Sequence, residues 1–138
     1  MNLRPQNGFT LIELILVVVT AGLIAAVAVP SLMKARDAAD SAAAVGHLRT
    51  MLTNQTMYKS QSGRYARLSE LNSFSDGNLG RVVGSTLRHR DFIYLMFPNP
   101  TNDSLRTEYN IIAYRIRSGR VLSQYQMAEN GSIVTVLP

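Results

Sequence analysis

Apolar residues are spread along this chain in three different patterns. From Leu14 to Val29 they form an uncharged run, LILVVVTAGLIAAVAV. From Ser31 to Tyr58 they fall at three- and four-residue steps. Val45, Leu48 and Leu52 lead on to Gln55, and Met51 and Tyr58 extend the stripe. That spacing predicts a helix buried on one face. Beyond Phe92 the apolar residues gather in short runs or alternate with polar ones, the pattern of strands. The chain therefore reads as a long helix, apolar all round at first and amphipathic later, followed by a sheet.

The apolar run admits three readings. As a helix, Phe9–Val29 is about 31 Å long, enough to cross a hydrocarbon core of ~30 Å. It can be a permanent membrane anchor. It can be a secretory signal, with Ala26-Val27-Ala28 as the A-x-A-like site and Val29 as the new N-terminus. Or the chain can be processed before the run, at Gly8, so that the helix stays on the mature protein. Two features weigh against a discarded signal. A secretory apolar core spans about 7–15 residues without a charge, whereas this run is longer and Glu13 stands at its head. The run also leads directly into a second helical pattern beyond Pro30. Glu13 itself is costly, because a carboxylate at the centre of a membrane helix is disfavoured by roughly 2.5–3.5 kcal/mol. Such a residue points to function and to a cationic partner.

Ser62-Gly63 marks the helix end. Phe9–Tyr58 would be roughly 75 Å long, against a radius of gyration of ~14 Å for a compact domain of this size. The first half of the helix is therefore expected to protrude, with the second half packed on the head. Gly22 and Pro30 both weaken the helix, by ~1 and ~3 kcal/mol in an interior, and Pro30 removes the bond its N–H would make to Ala26.

After the helix, Leu68 and Leu71 predict a short helical turn, and residues 72–91, with Gly77, Gly80 and Gly84, read as a loop. Four strands are expected: Phe92–Phe97, Glu108–Arg117, Val121–Met127 and Ser132–Leu137. In the second, Tyr109, Ile111 and Ala113 share one face, and Asn110, Ile112, Tyr114 and Ile116 the other. Ser118-Gly119 and Asn130-Gly131 are the turns, the latter with two residues that tolerate positive φ. Packing the helix stripe on this sheet buries both apolar faces. The fold class is α+β, a long N-terminal helix on a roughly four-stranded antiparallel sheet. Tyr94, Tyr109, Tyr114 and Tyr125 belong to the core or the sheet faces.

Composition narrows the chemistry. The 138 residues carry a net charge of +5 and no cysteine, so neither disulfides nor thiolate metal sites enter. Arg4 and Glu13 cancel, and the whole excess lies beyond Pro30, mostly as arginine. The charge suits an anionic partner such as nucleic acid, but no nucleic-acid motif accompanies it. No nucleophile–base arrangement and no phosphate-binding loop is present. The chain reads as a non-enzyme without a cofactor. His47 and His89 each lack a second ligand at metal spacing and read as ordinary polar residues. A calcium site would have to draw on Asp103, Glu108 and Glu129, which no recognisable ligand string surrounds.

Gly8-Phe9-Thr10-Leu11-Ile12-Glu13-Leu14 resembles the prepilin motif of type IV pilins and of the pseudopilins of type II secretion systems. Gly22 and Pro30 fall where that family carries a glycine and a proline. The resemblance implies a pilin-like fold in three parts: a leader over 1–8, a transmembrane and assembly helix over 9–30, and an amphipathic helix half plus sheet over 31–138. It implies cleavage after Gly8 by a prepilin peptidase and methylation of the Phe9 amine. The Glu13 carboxylate would then pair with the Phe9 amine of a neighbouring copy, and the stretch between Gly22 and Pro30 could unwind during assembly. The implied partners are copies of the chain itself, minor pilins, an assembly platform protein, an ATPase and the inner membrane. Before assembly the chain would cross the inner membrane once with its head outside the cytoplasm. Afterwards it would belong to a surface or periplasm-spanning filament. A pilus used for motility, adhesion, DNA uptake or secretion, and a secretion pseudopilus, both remain open. So do a soluble domain released after Ala28 and an anchored domain that never polymerises.

Overall fold

A computed structural model describes residues 8–137. Its elements, in chain order, are helix α1 (Leu11–Ser62), helix α2 (Leu68–Phe74), strands β1 (Arg81–Val83), β2 (Thr86–His89) and β3 (Phe92–Met96), the single turn α3 (Ser104–Thr107), and strands β4 (Asn110–Arg117), β5 (Arg120–Ala128) and β6 (Ile133–Leu137). Contacts divide the chain into two units, one ending at Ala38 and the other beginning at Ala39.

The first unit is helical from Leu11 onward, and none of the described residues up to Ala38 is buried. The helix runs through Gly22 and Pro30 without a break. Pro30 has no N–H to give to the Ala26 carbonyl, yet the helix continues past it.

The second unit is the head. Its sheet has six antiparallel strands in the order β1-β2-β3-β4-β5-β6. Ala44, Leu48, Met51 and Gln55 of α1 are buried, with Val45, Leu52 and Tyr58 partly so. The predicted stripe therefore faces the core. Opposite it lie Leu87, Tyr94, Ile111, Ala113, Tyr125 and Met127, all inward residues of strands. β3 and β4 alternate cleanly, with the odd residue Tyr109 and its successors Ile111 and Ala113 inside and Ile112 and Tyr114 half-exposed. Each large side chain fully buried this way contributes about 1.5–3 kcal/mol.

Gln55 is wholly buried in the middle of the apolar stripe. Its amide both donates to the Ala66 carbonyl and accepts from the Ala66 N–H, each at 2.8 Å. A glutamine amide satisfies a backbone unit at both ends, and so it fixes the return of the chain after the helix. Gly63 (φ 72°) makes that return possible, with its N–H donating to the Lys59 carbonyl at 2.9 Å. This is a left-handed helix C-cap, a conformation that suits glycine. Beyond it Arg64 grips Glu70 through two hydrogen bonds of 2.9 and 2.7 Å, and the Arg67 N–H donates to the same carboxylate at 2.8 Å. Glu70 thereby caps the start of α2.

The sheet departs from the expected one in two places. Residues 72–91 are not all loop, because β1 and β2 form a hairpin that continues the sheet past β3. At Asn130-Gly131 only Gly131 takes a positive φ, of 79°. The Gly131 N–H bonds the Ala128 carbonyl, and Ser132 and Asn130 are joined by a side-chain bond of 2.9 Å. The connection is a three-residue loop closed by a left-handed glycine, not a two-residue turn. At Ser118-Gly119, by contrast, both residues take positive φ (52° and 76°), as a two-residue hairpin turn requires.

Candidate functional site

The head of α1 is built by Thr10. Its carbonyl accepts the first helical bond, from Leu14 N–H at 3.2 Å. Its hydroxyl accepts from the Glu13 N–H at 3.3 Å. Threonine at the N-cap and glutamate at the third helical position form the sequence signature of a capping box. Thr10-Leu11-Ile12-Glu13 thus both starts the helix and puts a carboxylate in its first turn. There it meets the positive end of the macrodipole, worth about half an elementary charge. Sequence reading singled out Glu13 and passed over Thr10, although the T-x-x-E spacing was there to find it.

The structure brings Gly8, Phe9, Thr10 and Glu13 together within the first turn and the residues leading into it. Phe9 is 79% exposed. Gly8 is exposed, and among the described residues beyond its chain neighbours no atom lies within 4 Å of where its Cβ would be. Met1–Asn7, with Arg4, lie outside the described residues. Gly22 and Pro30 stand about 14 and 26 Å further along the helix axis than Glu13. Nothing approaches the place of a Gly22 Cβ. Along the apolar run the single polar side chain of Leu14–Val29, Thr20, shares its proton between the carbonyls of Leu16 and Val17, both at 3.0 Å. A hydroxyl bonded back to its own helix needs no outside partner, which suits a hydrocarbon setting. The helix is long and apolar enough to cross a membrane. The described site therefore has an exposed Gly8 and Phe9, a carboxylate one turn away, and an exposed apolar helix surface behind them.

The head holds several charged pairs. Arg115, 8% exposed on β4, lies 3.5 Å from Asp40 on α1. His47 on α1 and His89 on β2 stack with ring centroids 4.3 Å apart, and Tyr94 lies 5.0 Å from His47. The two histidines thus meet as packed rings, which their distant positions in the sequence concealed. Burial, with the neighbouring His89 adding to it, holds His47 down at about 4. The Arg64 bond holds Glu70 at about 2. Burial raises the Tyr94 and Tyr109 phenols above their ordinary range. Among the described residues no three acidic, histidine or cysteine side chains are grouped as metal ligands. Asp103 faces Arg106 at 4.0 Å on the surface, whereas Glu108 and Glu129 line one cavity of about 200 Å³.

Three curated relatives are similar to about half of this chain. The chain is 38% identical over 65 residues to the type II secretion system core protein G of Aeromonas hydrophila, covering 47% of this chain and 46% of that one. It is 38% identical over 64 residues to the type IV major pilin protein PilA of Myxococcus xanthus, covering 46% and 29%. It is 35% identical over 63 residues to the type IV wide pilus major component PilA4 of Thermus thermophilus, covering 46% and 48%. The chain spans about half the length, or less, of these curated relatives. No family model matches it. No solved structure matches it. Over about half its length the chain is thus similar both to core protein G of type II secretion systems and to type IV pilins, and its long apolar N-terminal helix followed by an antiparallel sheet is an α+β, pilin-like architecture.

Proposed function

We propose that this chain is a prepilin, cleaved after Gly8, methylated on the Phe9 amine and polymerised into a type IV pilus or pilus-like filament. The observation that carries the reading is Glu13 in the first turn of α1, at the mouth of the exposed, uncharged Leu14–Val29 run. An apolar surface of that length needs either lipid or other copies of itself. The carboxylate needs a cation, and cleavage at Gly8 would create one at Phe9. In a bundle of apolar helices the attraction between them is weakly screened. Breaking one side of such a pair costs about 3–5 kcal/mol, enough to fix the stagger between subunits. On this reading 1–8 is the leader, 9–30 the membrane and assembly helix, and 31–138 the remainder of the helix with the head. The Gly22–Pro30 stretch is the part able to unwind.

The partners follow from the same reading: a prepilin peptidase, copies of the chain, minor pilins, and the platform protein and ATPase of the machinery. The chain has a structural role and catalyses nothing. It waits in the inner membrane with its head outside the cytoplasm until it enters the filament. The core protein G relatives favour one variant, a major-type pseudopilin of a type II secretion system. The pilin relatives favour the pilus.

Mass analysis of the mature N-terminus tests the reading. A chain beginning at methylated Phe9 is expected. A chain beginning at Val29 would establish a secreted domain, and one retaining Met1 a simple anchor; either overturns the proposal.

A further inference from the structure

The β4–β5 hairpin carries like charges at each of its ends, of opposite sign. At the tip, Arg117 and Arg120 stand directly opposite each other across the Ser118-Gly119 turn. Both are exposed. Like charges facing each other on paired strands are destabilising. At the base, Asn110 pairs with Ala128, so Glu108 and Glu129 flank the same end. They line the cavity of about 200 Å³, together with Met96, Pro98, Tyr109 and Asn110. Among the described residues no basic side chain lines it, in a chain whose net charge is +5.

Two of the residues that line this cavity also carry buried polar atoms without a hydrogen-bond partner. Tyr109 is 4% exposed and its hydroxyl has no hydrogen-bond partner. The Oδ1 of Asn110 is also buried without one. Buried polar groups are normally satisfied, and an orphan calls for an explanation. The volume lies below the range of about 300–1,000 Å³ usual for small-molecule pockets. Apolar walls of Met96 and Pro98 beside the Glu108 and Glu129 carboxylates suit a side chain with an aliphatic stem and a cationic, multiply donating head. A guanidinium has that form.

The direction of the hairpin says whose guanidinium it is. Asp40 meets Arg115 near the tip, while Leu52 lies beside Gly131 near the base. Within the head, α1 therefore runs from the tip end to the base end. If copies are stacked with their helices parallel, the tip of one faces the base of the next. A contact between two different patches repeats without closing and so builds an open filament.

We propose that the Glu108–Glu129 cavity receives an arginine of the Arg117–Arg120 tip from a second copy of this chain, making a head-to-tail contact between subunits. The inference rests on the filament reading and adds the head contact to it.

Charge reversal in the full-length chain tests it. Glu108→Arg with Glu129→Arg, and separately Arg117→Glu with Arg120→Glu, change exposed residues outside the core and should leave the head folded. Each pair alone should abolish filaments, and co-expressing the two variant chains should restore mixed, alternating ones. Because the chain has no cysteine, Glu129→Cys with Arg120→Cys in one chain should give a disulfide-linked ladder in oxidised filaments, absent from either single variant. Filaments of normal yield from both reversed chains would overturn the contact while leaving the filament reading standing. So would failure of co-expression to rescue. If Arg117→Glu with Arg120→Glu assembles normally but no longer binds phosphatidylglycerol vesicles, the tip serves lipid and the contact is again overturned. Absence of filaments from the wild-type chain would instead overturn the filament reading, and this contact with it.

Discussion

The rings of His47 and His89 stack 4.3 Å apart with their planes only 14° from parallel, joining the long helix to the second strand of the sheet. Such a stack holds two neutral imidazoles well and two cations badly. His47 is held at about 4 in the folded head by burial and by the nearby His89, with a backbone bond to Leu79 acting the other way. An unfolded histidine takes up its proton near 6.5. Below that value the unfolded chain binds a proton that the folded head refuses. The stability this site supplies is therefore complete above about 6.5 and declines as the pH falls towards about 4, where the folded head also protonates. Thermal unfolding of the detergent-solubilised protein at pH 7.5 and pH 4.5 should show a loss on the order of 2 kcal/mol, and His47→Phe should remove most of this dependence. An unchanged pH profile in that variant would refute the assignment to His47.

Gln55 should be among the least replaceable polar residues of the head. Gln55→Ala leaves the Ala66 N–H and carbonyl buried without partners and opens a cavity. At about 1–3 kcal/mol for each unsatisfied group, the loss should be on the order of 3 kcal/mol. Gln55→Glu keeps the acceptor for the Ala66 N–H but sets a carboxylate oxygen against the Ala66 carbonyl, and it should also destabilise. Denaturant unfolding of the variants measures both; a loss under about 0.5 kcal/mol would show that the bonds are dispensable.

Glu70 anchors the segment after the helix by accepting from Arg64 and from the Arg67 N–H. Its low value, about 2, means the contribution is present above the ordinary carboxylate range and is lost as the pH falls from there towards 2. Because the pair is a quarter to a third exposed, screening limits its worth. Glu70→Gln should cost about 1 kcal/mol at neutral pH and far less at pH 2.5, as measured by denaturation at the two pH values.

Gly80 lies at the entrance to β1 with φ 138°, and a Cβ there would collide with the Arg88 carbonyl of β2. Gly80→Ala must push the first hairpin off the sheet edge or strain the backbone. Faster amide exchange over β1 and β2 than in wild type, with β3–β5 unchanged, is the expected signature.

These examples also show what the sequence reveals and what it hides. Three- and four-residue spacing places Leu48, Met51 and Gln55 correctly, because one helix face meets one core. Ser62-Gly63 ends the helix as expected, since a left-handed cap suits glycine. The last four strands are legible from their apolar alternation. β1 and β2 are not, because three- and four-residue strands carry too few positions to show a period, and every residue of β1 is exposed. The His47–His89 stack and the Asp40–Arg115 pair are invisible for a different reason: they join residues far apart in the chain, and only the register of the sheet brings them together. At the head of α1 the motif made Gly8, Phe9 and Glu13 conspicuous, while the Thr10 cap was equally present in the spacing.

In the proposed filament, the Glu13 carboxylate at the start of the apolar helix pairs with the new Phe9 amine of a neighbouring copy. Co-expression of wild-type and tagged Glu13→Ala chains, followed by purification of the filaments, examines that pairing. The variant should be found in the membrane, cleaved after Gly8 like the wild type, yet be absent from the filaments. Glu13→Ala present in the filaments in the same proportion as in the membrane would contradict it.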